Sequence, residues 1–186
     1  MSICFIDGRW RPTGECCLPV TDLVIQRGVG VFDSIRIYDR RLFALDEHMK
    51  RLAQSAAMAG IECGTVVDRL RDIVREGAKR DDYPGNGDCI AKVYITGGDE
   101  NNFGKFPKPR YFGILEECAA PSQEEYEKGV VVLPTPVGRP YPLMKSVNYL
   151  FGMIEHAGRD DMEECLYCPE GEVTETLRSS FFMSRG

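Results

Sequence analysis

The sequence predicts an α+β protein in two lobes, and three observations carry that prediction. Period-two alternation of apolar and polar residues recurs in both halves of the chain. Two stretches of helical spacing lie in the first half, and a polar run over 118–128 separates the halves. The expected organisation is residues 1–118 as a first lobe, 119–128 as a linker and 129–186 as the start of a second lobe. At 186 residues, 43% of them hydrophobic, the chain can build a real core.

The first element is a strand over 1–6 entering an Asp7-Gly8 hairpin turn. Leu23-Val24-Ile25 follows, then a strand over 28–38, with Asp39-Arg40-Arg41 turning into Leu42-Phe43-Ala44. Gly28-Val29-Gly30 lacks a third glycine and precedes a strand, which excludes a dinucleotide loop. Asp46 reads as the N-cap of a helix carrying Met49, Leu52, Ala53 and Ala56, closed by Gly60. Thr65 opens a second helix with Val66, Val67, Leu70, Ile73 and Val74 on one face.

A turn over 83–87 leads to a strand over 89–96, which buries Ala91, Val93 and Ile95. The Gly/Asn/Pro loop over 97–109 is long enough to suggest function, and a strand over 110–115 ends the lobe. The second lobe is expected to begin with a buried strand over 130–133 and to continue with a helix over 146–157. Short strands around 165–167, 172–174 and 181–182 finish it.

Composition narrows the function. A net charge of -6, from 29 acidic and 23 basic residues, gives no basic footprint for nucleic acid or anionic membrane. No apolar run reaches membrane-spanning length, and residues 1–9 lack a signal-peptide pattern. Eight scattered cysteines then read as thiols in a reducing cytoplasm. The lone Cys165-x-x-Cys168 is weak evidence for a metal.

The residues that carry chemistry begin with Lys145, which closes the Pro-rich loop Pro140-Tyr141-Pro142-Leu143-Met144 and precedes Ser146-Val147-Asn148-Tyr149. Glu175 follows 30 residues later, after Val173-Thr174. A lysine there can form an imine, and a carboxylate at a strand end can hold a ring nitrogen protonated, which is pyridoxal phosphate chemistry. Tyr149 shares a face with Lys145 if the helix includes both. Arg51, three residues after His48, borders the apolar stripe of its helix and could reach a phosphate with fork geometry. Each residue taken alone also has an ordinary role: a solvated lysine, a half-buried tyrosine, a surface glutamate, a snorkelling arginine.

Their order resembles the class IV aminotransferases, the fold-type-IV pyridoxal phosphate family of branched-chain aminotransferases, D-amino-acid aminotransferases and 4-amino-4-deoxychorismate lyases. The landmarks are Asp7-Gly8-Arg9-Trp10, Gly30-Val31-Phe32-Asp33-Ser34-Ile35-Arg36, Leu45-Asp46-Glu47-His48-Met49-Lys50-Arg51-Leu52, Lys145-Ser146-Val147-Asn148-Tyr149-Leu150 and Val173-Thr174-Glu175. The resemblance implies a small N-terminal α/β lobe, a β-rich C-terminal lobe and a homodimer. It makes Lys145 the Schiff-base lysine, with Glu175 at the pyridine nitrogen, Arg51 at the phosphate and Tyr149 at the phenolic oxygen. Lys92 and Phe32 fall on the substrate side.

Departures from the pattern shape the expectation. Lys92 stands where branched-chain members carry arginine, and Asn102-Phe103-Gly104 stands where D-amino-acid enzymes place Arg-x-His. Thr176 and Ser180 replace a usual glycine and asparagine. The chain stops at Gly186, before the phosphate loop that family members carry, so the second lobe is expected to be truncated. The leading expectation is a transaminase acting on a branched-chain-like amino acid and a 2-oxo acid. The alternatives are an aminodeoxychorismate lyase and a catalytically silent dimerising fragment.

Overall fold

The computed structural model describes residues 2–85, 87–157 and 164–185. Its packing divides the chain into two units. One is Met1–Ala119 with Leu143–Val147, and the other is Ala120–Pro142 with Asn148–Gly186.

The first unit is built on an antiparallel sheet. Strand β1 (Ser2–Ile6) turns through Asp7 and Gly8, both at positive φ, into β2 (Arg9–Pro12). Helix α1 (Leu23–Arg27) contains the Leu23-Val24-Ile25 run, and the Asp22 carboxylate caps it by accepting from Val24 N at 2.9 Å. Strand β3 (Gly30–Tyr38) turns through Asp39 and Arg40 into β4 (Arg41–Leu42). Helices α2 (Leu45–Met58) and α3 (Val66–Gly77) follow, then β5 (Cys89–Thr96) and β6 (Arg110–Glu117). The strand order is β2-β1-β6-β5-β3-β4. Of the turn expected over 83–87, Asn86 lies outside the described residues.

Alternation decides which face is buried. Val31, Ile35 and Ile37 of β3 and Ala91, Val93 and Ile95 of β5 are fully enclosed with Met49, Leu52, Leu70, Ile73 and Val74 of α2 and α3. Asp46 is not the N-cap of α2. The helix begins one residue earlier, at Leu45 behind a left-handed Ala44, and Asp46 sits in its first turn. There its charge favours the helix dipole, and it accepts from Arg71 Nε at 3.0 Å.

The second unit opens with α4 (Gln123–Lys128), inside the segment expected to be a plain linker. Ser122 and Glu125 form a reciprocal capping box at its start. A three-stranded sheet follows: β7 (Val132–Thr135) runs parallel to β8 (Glu164–Tyr167), which pairs antiparallel with β9 (Glu175–Thr176). Between β7 and β8 lies α5 (Leu150–His156). Buried Cys165, Tyr167 and Leu177 form its core, with Leu133 and Tyr149 packed against them.

Four expectations here need correction. Val130 and Val131 precede β7 and are exposed, and the strand, paired on one side among the described residues, buries Thr135 rather than a valine run. The helix expected over 146–157 starts at Leu150, because residues 145–147 are extended and bonded to β3. Residues 172–174 lie before β9, which begins at Glu175 itself, since a tight turn at Pro169–Gly171 delays the pairing. Phe181 and Phe182 form no strand; both are exposed and have no pairing partner among the described residues.

Gly152 shows how close this second packing is. A Cβ there would collide with the Leu177 side chain and the Tyr167 hydroxyl. Gly152→Ala is expected to destabilise the protein by about 1–3 kcal/mol in urea unfolding. Amide exchange over β8 should accelerate with it, and unchanged exchange there would contradict this packing.

Candidate functional site

Lys145 is fixed by backbone bonds to the first unit. Its carbonyl accepts from Phe32 N at 3.0 Å, and Val147 N donates to Gly30 O at 3.1 Å, so residues 145–147 lie antiparallel to the start of β3. Its own N–H donates to Ser55 Oγ of α2 at 3.1 Å. Gly30 is required for this contact, because a Cβ would press on Val24 and Val147. The side chain is half-buried, with Nζ 4.8 Å from the centre of the Phe32 ring. Phe32 stacks on Tyr94 at 5.5 Å and Tyr94 on Phe112 at 4.6 Å, so an aromatic surface extends from the amine across three strands. Lys92, two residues before Tyr94, shares its face of β5 and pairs with Glu116 of β6.

Next to Phe32 in sequence, Asp33 points to the helical side of β3, where its carboxylate is fully enclosed. Oδ2 accepts from Arg51 Nε at 2.7 Å, and Oδ1 accepts from Arg51 Nη2 at 2.7 Å and from Ser34 N at 2.7 Å. His48 Nδ1 lies 2.8 Å from Oδ1, and a carboxylate only accepts, so Nδ1 carries the proton. Burial pushes the Asp33 carboxyl up, but the Arg51 and His48 hydrogen bonds outweigh it and hold the group below its ordinary value. The two sides of Arg51's fork that meet Asp33 fix the plane of a guanidinium that is about half exposed.

The second unit holds the other two candidates. Glu175, the first residue of β9, accepts from Arg139 Nη1 at 2.9 Å, and both side chains are mostly covered. The Arg139 guanidinium lies 5.4 Å from the centre of the Tyr149 ring, which packs on the Cys165, Tyr167 and Leu177 core. Tyr149 caps α5 rather than lying in it, so it does not share a helix face with Lys145.

Lys145, Phe32, Lys92 and Arg51 thus belong to the first unit, and Tyr149 and Glu175 to the second. Three residues escaped the sequence reading. Asp33 left a signal, since a carboxylate at an inward strand position implies a cation partner. Ser55 left a fainter one as a hydroxyl on the apolar side of α2. Arg139, between Gly138 and Pro140, left none. Within the first unit an amine and a guanidinium are each held in place, and within the second a phenol and an ion-paired carboxylate are.

The family model described as amino-transferase class IV matches residues 30–186. The chain is 26% identical over 186 residues to a D-alanine aminotransferase of Bacillus licheniformis, covering 96% of this chain and 64% of that protein. It is 25% identical over 191 residues to an aminodeoxychorismate lyase of Bacillus subtilis (strain 168), covering 98% of this chain and 64% of that one. The chain therefore spans less than two thirds of the length of these curated relatives. A hypothetical aminotransferase from Mycobacterium tuberculosis, solved in a PLP-bound form, has the same fold. Its TM-score is 0.77 at 21% identity, over 96% of this chain and 66% of that structure.

The Asp33 network predicts a pH dependence. A carboxyl whose folded pKa lies below its ordinary 3.8 contributes stability that is complete above that value and is lost as pH falls through the folded pKa. Asp33→Asn is expected to cost about 1.5–3 kcal/mol at neutral pH. It should also flatten the decline in stability below pH 3.8 that the unsubstituted protein shows in denaturant titrations.

Proposed function

The chain belongs to the class IV aminotransferases, and from that premise we propose a pyridoxal-phosphate-dependent transaminase that moves an amino group between a branched-chain-like amino acid and a 2-oxo acid. The observation that carries the reading is Lys145, pinned through its backbone to β3 with its amine over Phe32. When bound, pyridoxal phosphate supplies an aldehyde that condenses with amines and a ring that accepts an electron pair.

The chain's own residues supply the rest. Lys145 would hold the aldehyde through its amine, and the same amine would move a proton at the substrate α-carbon. Arg51 holds the phosphate, its plane set by Asp33. Glu175, its carboxylate oriented by Arg139, would face the ring nitrogen and hold a proton there. Tyr149 would donate its phenol to the ring oxygen.

Phe32, Tyr94 and Phe112 offer an apolar surface beside the amine, which suits an aliphatic side chain. Lys92 is the cation proposed for the substrate carboxylate, with Glu116 its resident partner. Asn102-Phe103-Gly104 carries no Arg-x-His pair, and the cations of the loop over 97–109 are Lys105 and Lys108 instead, which favours this substrate class over D-amino acids. A homodimer in the cytoplasm completes the proposal. A second reading, a lyase releasing pyruvate from aminodeoxychorismate, is favoured by the likeness to the Bacillus subtilis protein.

Titration of the chain with pyridoxal phosphate should give a visible absorbance band, and borohydride reduction should fix the label on Lys145. Lys145→Ala should stay colourless. An unsubstituted chain that stays colourless at saturating cofactor overturns the proposal. In the active protein, Glu175→Gln is expected to lower turnover by about 10²–10³-fold. Release of 4-aminobenzoate, in place of amino transfer to a 2-oxo acid, would select the lyase.

A further inference from the structure

A second set of reactive side chains lies at the β1 end of the first unit. Ile3 and Phe5 enter the core, so Cys4 between them faces the other side of the sheet. Beyond β2 the chain makes a single tight turn at Thr13–Glu15, closed by Cys16 N donating to Thr13 O at 3.1 Å. That turn sets the Cys16 thiol against Pro12 O, and Pro12 pairs with Ile3, the residue before Cys4. Cys4, Cys16 and Cys17 line one cavity of about 270 Å³, otherwise walled by apolar side chains and Thr13. The Thr13 hydroxyl is buried there without a hydrogen-bond partner among the described residues.

The two sulfurs differ in reactivity. Burial, with the neighbouring Cys16 and the Asp7 carboxylate adding to it, pushes the Cys4 thiol up to about 12. Cys16 is half-exposed, and its Sγ donates to Pro12 O at 3.7 Å. Cys16 is therefore placed to meet a reagent from solvent and Cys4 to resolve the product from behind it.

We propose that Cys4 and Cys16 form a dithiol site that exchanges with small-molecule disulfides and closes a reversible Cys4–Cys16 bond within this cavity. The Cys16 thiolate attacks one sulfur of the disulfide, forming a mixed disulfide and expelling one thiolate. The Cys4 thiol, giving its proton to the thiolate already expelled, then attacks the Cys16 sulfur and expels the second thiolate. Two protons leave the protein thiols for the two released thiolates, the protein loses two electrons, and the small disulfide is reduced to two thiols.

Oxidised glutathione is the probe, read by peptide mapping under non-reducing conditions. The expected product is a Cys4–Cys16 linked peptide lighter by two hydrogens, formed in the folded protein and reversed by excess reduced glutathione. Cys4→Ala should halt the reaction at a glutathione adduct on Cys16. Cys16→Ala, a change at a half-exposed turn position, should abolish the link. Stable glutathione adducts on Cys16 or Cys17 in the unsubstituted protein, or a link joining other cysteines, would overturn the proposal.

Discussion

The constraint on which the candidate chemistry depends is a pair of backbone hydrogen bonds. Phe32 N to Lys145 O and Val147 N to Gly30 O lay a segment from late in the chain against the first residues of β3. The sequence on either side of residues 143–147 belongs to the second unit, yet those five residues pack with the first. Each backbone bond is individually modest, worth about 1 kcal/mol net. Their value is positional. A lysine side chain has four rotatable bonds and loses much entropy when ordered, so fixing its Cα and placing an aromatic ring under its head removes most of that freedom before any ligand arrives.

The same logic governs the charged groups. Asp33 is buried, and a buried carboxylate without partners would be costly. Arg51, His48 and Ser34 N together satisfy both oxygens, so the cost of burial is offset and the guanidinium is held in one plane. An exposed arginine with no such anchor would sample many rotamers. Arg139 does for Glu175 what Asp33 does for Arg51, in the second unit, with Tyr149 stacked beside it.

Sequence pattern made the first unit legible because its sheet has one buried face and its helices one apolar stripe. Cys89–Thr96 alternates cleanly, and the structure buries Ala91, Val93 and Ile95 as the pattern demands. The errors cluster where a distant partner decides. Ser146-Val147-Asn148 has the look of a helix start, but Ser146 bridges to Val31 of β3, so the helix begins only at Leu150. Val130-Val131 has strong strand propensity, yet propensity reports a fit to a pleated surface and cannot say whether a second layer covers it. Ala44 in a left-handed conformation opens α2 where Asp46 promised a cap, a choice set by the preceding β4 hairpin rather than by any local preference. Lys145, Arg51, Tyr149 and Glu175 were readable as chemical types in family order; of their anchors, Asp33 and Ser55 showed only as polar residues on apolar faces and Arg139 not at all, because an anchor is defined by a contact whose partner the sequence does not name.

That asymmetry has a physical reading. A reactive group is constrained in type by the reaction, so an amine, a phenol or a carboxylate at the right point in the order is recognisable. The residue that orients it needs only to reach it with a complementary charge or hydrogen bond, and many positions satisfy that condition. Orientation still matters as much as identity, because a donor misplaced by about 1 Å can lose about 10²-fold in rate. In this chain every candidate group has an anchor within its own unit: β3 for Lys145, Asp33 for Arg51, Arg139 for Glu175 and the Tyr167 core for Tyr149. Each unit thus pays the ordering cost of its own groups on folding, which is the form of preorganisation that electrostatic catalysis requires.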